Sequence, residues 1–408
     1  MMEKMAANRG WTVVMTAFGL NLVLGVLYAW SVMAKALVGQ WGWSKTDASL
    51  PFTVSTIAFS ISMIFAGRMQ DKMGPRLTVV LGGLMLGGGM MASALAKSPL
   101  IMMITFGVIG GIGIGLGYCA TTPPAIKWFP PAKKGLIAGI VVSGVGLAPV
   151  YISPLTEWLL KQGTISRTFF ILGIATTVIV VALSFLLSNP PAGYVAGASQ
   201  AAAPGAAAPP PAQREVDWPE MLRSAHFWIL WVTMALTASA GLMIIAHLAK
   251  IAEMQAGIKW GFTAVAMLAI FNSSGRLVAG FFSDKIGRSR TMILFFVLQA
   301  INMFVFKHYT TPNLLLFGAA FTGLCYGTIF PLFPATTADF YGVRNLGVNY
   351  GLVFTAFGVA GTLGPIMGGR IADAVGNYHS AYIVCGAMLL VGSALAYMLR
   401  TAPKQKTA

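Results

Sequence analysis

Apolar residues run along this chain in twelve long stretches, each separated from the next by a short polar segment. They fall at roughly 11–37, 47–67, 77–97, 99–126, 135–160 and 167–189, then at 225–249, 261–282, 291–310, 313–338, 346–372 and 379–400. A helix crosses the ~30 Å hydrocarbon layer of a bilayer in about 20 residues, so each stretch is long enough to span. The pattern predicts an all-α membrane protein with twelve transmembrane helices. The first stretch begins at Trp11 and is too long for the apolar region of a signal peptide, so it is expected to be a retained helix.

Between the sixth and seventh stretches lies Ala192 to Ala212, AGYVAGASQAAAPGAAAPPPA. Alanine, proline and glycine cannot build a core there, and the segment is expected to be a flexible linker. Trp218 to Ser224 is expected to form a short interfacial helix that leads into the second half. The predicted organisation is an N-terminal six-helix bundle over 1–190, a cytoplasmic linker over 191–224 and a C-terminal six-helix bundle over 225–408.

The two halves repeat. The loop after the second stretch reads GRMQDKMGPR, Gly67 to Arg76, and the loop after the eighth reads GFFSDKIGRSR, Gly280 to Arg290. Gly67 and Gly280, Asp71 and Asp284, Lys72 and Lys285, and Gly74 and Gly287 are each 213 positions apart. Two parallel six-helix repeats joined by a linker are the architecture of a rocker-type secondary transporter. A small residue lets two helices approach closely. An aspartate can cap a helix and pair with basic residues of a neighbour, latching one side of the membrane. Asp71 and Arg76 in the first loop, and Asp284 and Arg290 in the second, are therefore the expected gating residues. A loop that serves only to set topology would need neither the aspartate nor the glycine spacing.

Composition narrows the class further. The 408 residues are 57% hydrophobic and 9% charged, which excludes an ordinary soluble domain. The net charge of +16 raises the question of nucleic acid. The basic residues, however, sit between apolar stretches and form no aromatic-rich basic surface. Placing both termini and the linker on one side puts seventeen of the 27 Lys and Arg residues there, which predicts that side to be cytoplasmic. The expected location is the inner membrane of a bacterium, with the lipid bilayer as a partner and no nucleic acid. Cys119, Cys325 and Cys385 all lie in apolar stretches and are expected to pack there. No disulfide framework or metal-ligand spacing is visible, and no cofactor is expected.

Arg276 lies within the apolar run Trp260 to Phe282. A charge at that depth costs about 2.5 to 3.5 kcal/mol on insertion scales. Such a charge is kept where it faces a bundle interior or a watery cavity, and its use there is to meet an anion. The alternative is an arginine that snorkels to the interface or ties two helices together. With the span centred near residue 272, Arg276 is about 6 Å toward the cytoplasm, close to the midplane where carrier sites lie. Asn272, four residues earlier, shares its helix face and either donates to a ligand oxygen or bridges two helices. The glycine-rich run Gly107 to Gly117 superficially resembles a nucleotide fingerprint, but no strand precedes it. It reads better as helix close packing.

The two loops resemble the G-x-x-x-D-[RK]-x-G-[RP]-x signature of the major facilitator superfamily, and with twelve spans the likeness covers the whole chain. A second segment, KWFPPAKKGLIAGIVVSGVG from Lys127 to Gly146, resembles the W-F-x-x-[KR]-[KR]-G-L-x-x-G entry to helix 5 of the oxalate–formate antiporter branch, with one extra residue between Phe129 and Lys133. FWILW at Phe227 to Trp231 and RNLGVNYG at Arg344 to Gly351 look like the same branch. The closest resemblance is to bacterial monocarboxylate transporters, similar in turn to the mammalian lactate–proton symporters. It implies the major facilitator fold, alternating access and a small carboxylate substrate.

The resemblance also implies roles for single residues. Arg276 stands eight positions before Asp284, the spacing of the family's substrate-binding arginine in helix 8. Tyr118 and Tyr28 match cavity aromatics, Leu27 is expected on the same wall as Tyr28, and Tyr326 falls where the branch has a large aromatic in helix 10. For each aromatic the alternative is ordinary packing. Two departures matter. The antiporter branch has a lysine in helix 11 where this chain has Phe357, so the second cation of a dicarboxylate site is missing. The mammalian symporters have a lysine in helix 1 and an aspartate before the helix 8 arginine, where this chain has Val32 and Val265.

The expected function is proton-coupled symport of small monocarboxylates such as L-lactate, by a monomer that binds substrate and protons. The alternatives are a carboxylate exchanger of the oxalate–formate type and a non-transporting sensor with a transporter fold. An enzyme is disfavoured, because the spans contain no paired carboxylates, Ser–His–Asp set or metal-ligand cluster.

Overall fold

The computed structural model describes residues 2–191, 193–194, 215–258 and 262–400, with side chains for all of these except 2–7, 28–29, 45 and 262. The linker segment 195–214 lies outside the described residues, which contain helices and no strands. Among the described residues, twelve helices are long and apolar enough to span a membrane. They are α1 (Asn8–Trp41), α2 (Thr46–Met73), α3 (Pro75–Ser93), α4 (Pro99–Lys127), α5 (Pro131–Gln162), α6 (Ile165–Ser184), α7 (Ala225–Ala256), α8 (Thr263–Ile286), α9 (Arg288–His308), α10 (Pro312–Tyr341), α11 (Leu346–Val375) and α12 (His379–Met398).

Local chemistry sets many of the ends. Ser44 Oγ accepts from the Asp47 N–H at 3.0 Å at the start of α2, and Ser224 Oγ accepts from His226 at 3.2 Å at the start of α7. α2 ends and α3 begins at Gly74, with φ +88°, and α8 gives way to α9 at Gly287, with φ +93°. Only glycine adopts that backbone without strain, so the two equivalent loops reverse sharply at equivalent glycines. A short helix, Trp218–Leu222, precedes α7, where the sequence predicts one.

Three spans are interrupted. α1 tightens into a 3₁₀ turn at Gly25–Ala29. α4 widens into a π-helical turn over Met103–Gly110 and breaks after Cys119, ahead of Pro123 and Pro124. α10 breaks at Thr328, just before Pro331, whose missing N–H leaves the ladder open there.

The chain divides into two compact units. Unit 1 holds Met1–Pro131, Val141–Glu215 and Val343–Gly351, and unit 2 holds Ala132–Ile140, Val216–Gly342 and Leu352–Ala408. The first turns of α11 thus belong with unit 1 and those of α5 with unit 2. Glycine explains both. In unit 1, a Cβ on Gly351 would run into the Met63 carbonyl, and one on Gly347 would lie 2.6 Å from the Gly67 carbonyl. In unit 2, a Cβ on Gly139 would lie 2.5 Å from the Arg276 carbonyl, and one on Gly135 2.6 Å from the Gly280 carbonyl. The same small-xxx-small device therefore seats α11 on α2 and α5 on α8 with backbones almost touching.

Candidate functional site

Arg276 projects from α8 and is the largest fully buried side chain among the described residues. Its Nε donates to Asn272 Oδ1 at 3.2 Å, one turn back on the same helix. Its guanidinium carbon lies 4.0 Å from the centroid of the Phe330 ring. A cation–π contact of this kind is worth about 0.5 to 2 kcal/mol, more when water is excluded. Helix packing fixes the pair. Gly323, Gly327 and Gly275 bring α10 against α8 so closely that a Cβ on any of them would strike the backbone of Leu268, Asn272 or Leu324 respectively. The planar fork is held from one side by an amide and from one face by a ring.

Aromatic residues continue outward from Phe330. Tyr326 meets it edge-on at 5.4 Å between centroids, and Phe357 of α11 meets it at 5.7 Å. Phe354 stacks on Phe357 at 5.0 Å. Unit 2 thus gathers Arg276, Asn272, Tyr326 and Phe357 into one cluster around Phe330.

Tyr118 and Leu27 belong to unit 1, and both are buried. Tyr118 packs edge-on against Phe59 at 5.6 Å. The side chain of Tyr28 lies outside the described residues. Phe330 was not singled out from the sequence, although the repeat contains a signal for it. Phe330 follows Tyr118 by 212 positions, as Gly347 follows Gly135. Asn272 and Arg276 follow Phe59 and Met63 by 213, as Asp284 follows Asp71. Unit 1 therefore places a phenylalanine, a methionine and a tyrosine where unit 2 places the amide, the guanidinium and its ring.

The two signature aspartates both cap helices. Asp71 accepts from the N–H groups of Gly347 at 3.1 Å and Val348 at 2.8 Å, at the start of α11. Asp284 accepts from Gly135 at 2.9 Å and Leu136 at 2.7 Å, at the start of α5. Each carboxylate satisfies two orphan N–H donors at the positive end of a helix. The basic partners differ from those read in the sequence. Arg288, not Arg290, pairs with Asp284, its Nη1 at 2.5 Å, while its Nε reaches Asp339 at 2.9 Å. Lys134 adds a 3.3 Å contact to Asp339. The turn at Gly287 folds Arg288 back over Asp284, whereas Arg290 is exposed and makes no ion pair among the described residues. Arg76 likewise turns away from Asp71. It donates to the Phe185 carbonyl at 2.9 Å and covers that ring, because the C-terminal carbonyls of α6 attract a cation. Glu215, which the sequence did not mark, accepts from Val343 and Arg344 just ahead of α11.

The model of the Major Facilitator Superfamily matches residues 10–301 and 250–408. The oxalate:formate antiporter of Oxalobacter formigenes is 26% identical over 393 residues, covering 95% of this chain and 91% of that protein. Monocarboxylate transporter 13 of Rattus norvegicus is 25% identical, covering 94% and 87% respectively. Among solved structures, the proton:xylose symporter XylE superposes with a TM-score of 0.76 at 14% identity, covering 96% of each chain. Twelve spans, a repeated signature loop and these likenesses agree that the chain is a multi-pass transporter belonging to the Major Facilitator Superfamily.

Proposed function

We propose that this transporter carries small monocarboxylates such as L-lactate together with a proton, by alternating access. The observation behind the reading is the Arg276 mount. A fully buried guanidinium, held by Asn272 and Phe330 and walled by Phe357, offers one planar cation in apolar surroundings. One such cation neutralises one carboxylate, and its fork matches a carboxylate's two oxygens. Tyr326 and Phe357 accept a short alkyl end, and the Asn272 amide donates to a hydroxyl. The names of two relatives, an oxalate:formate antiporter and a monocarboxylate transporter, agree with a small carboxylate cargo.

Charge counting supports the proton. The empty site carries +1 from Arg276, the anion makes it neutral, and anion plus proton restores +1. A symporter returns empty after unloading, and the empty and fully loaded forms then carry equal charge. In the reading proposed here, the halves 1–190 and 225–408 rock as two bundles in a bacterial inner membrane with both termini cytoplasmic. The Asp71 and Asp284 caps latch the cytoplasmic side while the outer side is open.

Uptake of labelled L-lactate into proteoliposomes under an inward pH gradient tests the reading. Accumulation driven by the gradient supports symport. Uptake that ignores the gradient and requires a counter-anion inside identifies an exchanger, and binding without uptake identifies a sensor.

A further inference from the structure

The symport reading needs a group that holds the proton, and every acidic residue of the chain lies near a span end or in a loop. Three of the four histidines lie at span ends: His226 opens α7, His308 closes α9 and His379 opens α12. His247 alone lies well inside a span, in α7, toward the end of unit 2 opposite the Asp284 loop.

Both of its ring nitrogens are engaged. Nε2 lies 3.0 Å from the Pro365 carbonyl of α11, and Nδ1 lies 3.2 Å from the Tyr378 hydroxyl in the turn between α11 and α12. A carbonyl only accepts, so Nε2 carries the hydrogen and neutral Nδ1 accepts from Tyr378. The close approach is made possible by glycine. A Cβ on Gly368 would lie 3.1 Å from His247 Cδ2, tighter than ordinary van der Waals contact.

This geometry suits both charge states. When Nδ1 gains a proton it donates to the Tyr378 oxygen, the phenol hydrogen turns away, and the Nε2 bond to Pro365 is kept. Other charged and titratable groups on the surrounding elements are Arg370 and Asp373 of α11, His379 and Tyr382 of α12, and Lys250 and Glu253 of α7 itself. Asp373 acts on Tyr378, whose hydroxyl is held above its ordinary range first by burial and then by that charge. α8 and α10, which also pack on α7, have no charged side chain near this end among the described residues. The helix that His247 grips also carries Phe357, eight residues before Pro365.

Building on the symport reading, we infer that His247 is the proton-carrying residue of this transporter, taking the coupled proton on Nδ1 between α7, the Pro365 turn of α11 and Tyr378. Protonation then reverses the bond between α7 and the turn that follows α11, the helix that carries Phe357, while the Pro365 bond is kept.

The test uses the full chain in proteoliposomes with labelled L-lactate. His247→Gln keeps a donor for the Pro365 carbonyl but cannot titrate. A gradient of about one pH unit drives up to about tenfold accumulation in one-to-one symport. His247→Gln is expected to lose that accumulation while lactate–lactate exchange at equal pH stays within about twofold of wild type. Accumulation equal to wild type overturns the assignment, and so does parallel loss of exchange, which would mark a structural clasp. A wild type that ignores the gradient rejects proton coupling itself, which separates that failure from a failure of His247 alone. If His247→Gln does not fold, Tyr378→Phe carries the test. Losing the better acceptor for the charged ring should shift the pH profile of uptake toward acid, and an unshifted profile overturns the inference.

Discussion

The guanidinium of Arg276 lies over the ring of Phe330 at 4.0 Å, so the one charge deep in α8 is held face-on by an aromatic residue of α10. Asn272 takes its Nε from the side. The planar face is covered, and the orientation of the fork is set before a ligand arrives. Preorganisation of this kind lowers the ordering cost of binding.

In the proposed function Arg276 is the anion anchor, and substituting it removes that anchor. At about 4 Å and an effective dielectric near 20, its attraction to a carboxylate is roughly 4 kcal/mol, about a thousandfold in affinity. Arg276→Ala should abolish lactate uptake in proteoliposomes while thermal unfolding of the purified protein shows a folded state. Arg276→Lys should fail nearly as badly, because a point charge offers no fork. Wild-type uptake by either variant contradicts the role.

The mount is testable apart from the charge. A Cβ at position 327 would strike the Asn272 carbonyl, which is backbone and cannot swing aside as the end of a flexible side chain could. Gly327→Ala should cost about 1 to 3 kcal/mol of stability and lower uptake by separating Phe330 from Arg276. An unchanged melting temperature with full uptake would show that the two helices have room to spare.

The two aspartate caps are not equal. Each accepts two N–H groups, but Asp284 also holds Arg288, which in turn holds Asp339. A charge-assisted hydrogen bond is worth about 1.5 to 3 kcal/mol, so neutralising Asp284 loosens more than neutralising Asp71. Asp284→Asn should shift cysteine accessibility toward the inward-open state more than Asp71→Asn, with substrate binding better preserved than turnover in both. Equal or absent shifts would contradict the latch.

Much of the fold was legible in the sequence, because a membrane span announces itself by length and hydropathy alone. The repeat was equally visible, since Asp71 and Asp284 keep their spacing to Gly67 and Gly280. The partners of those aspartates were less visible. The sequence points to Arg290, and the turn at Gly287 is what folds Arg288 back over Asp284 instead. Arg76 appeared to be a latch residue because its pull toward the carbonyls of α6 depends on how α3 and α6 pack. Phe330 escaped notice for a different reason. An aromatic in an apolar helix has no special pattern until the break at Thr328 and the glycines of α10 place it over a charge.

The aromatic wall predicts what a second cation would do. Phe357→Lys places a charge beside Phe330 and close to the Arg276 mount. It should weaken lactate uptake and admit oxalate as a competitor. A variant that still excludes oxalate would show that position 357 does not face the cargo.

In the proposed function one mounted cation selects a single small carboxylate, and inhibition of labelled L-lactate uptake by unlabelled acids at fixed pH is the decisive experiment. A second, uncompensated carboxylate in a partly dry site costs several kcal/mol, roughly a thousandfold in preference. In the wild type, lactate, pyruvate and acetate should compete while oxalate and malonate should not. Oxalate competing as well as lactate would contradict the account.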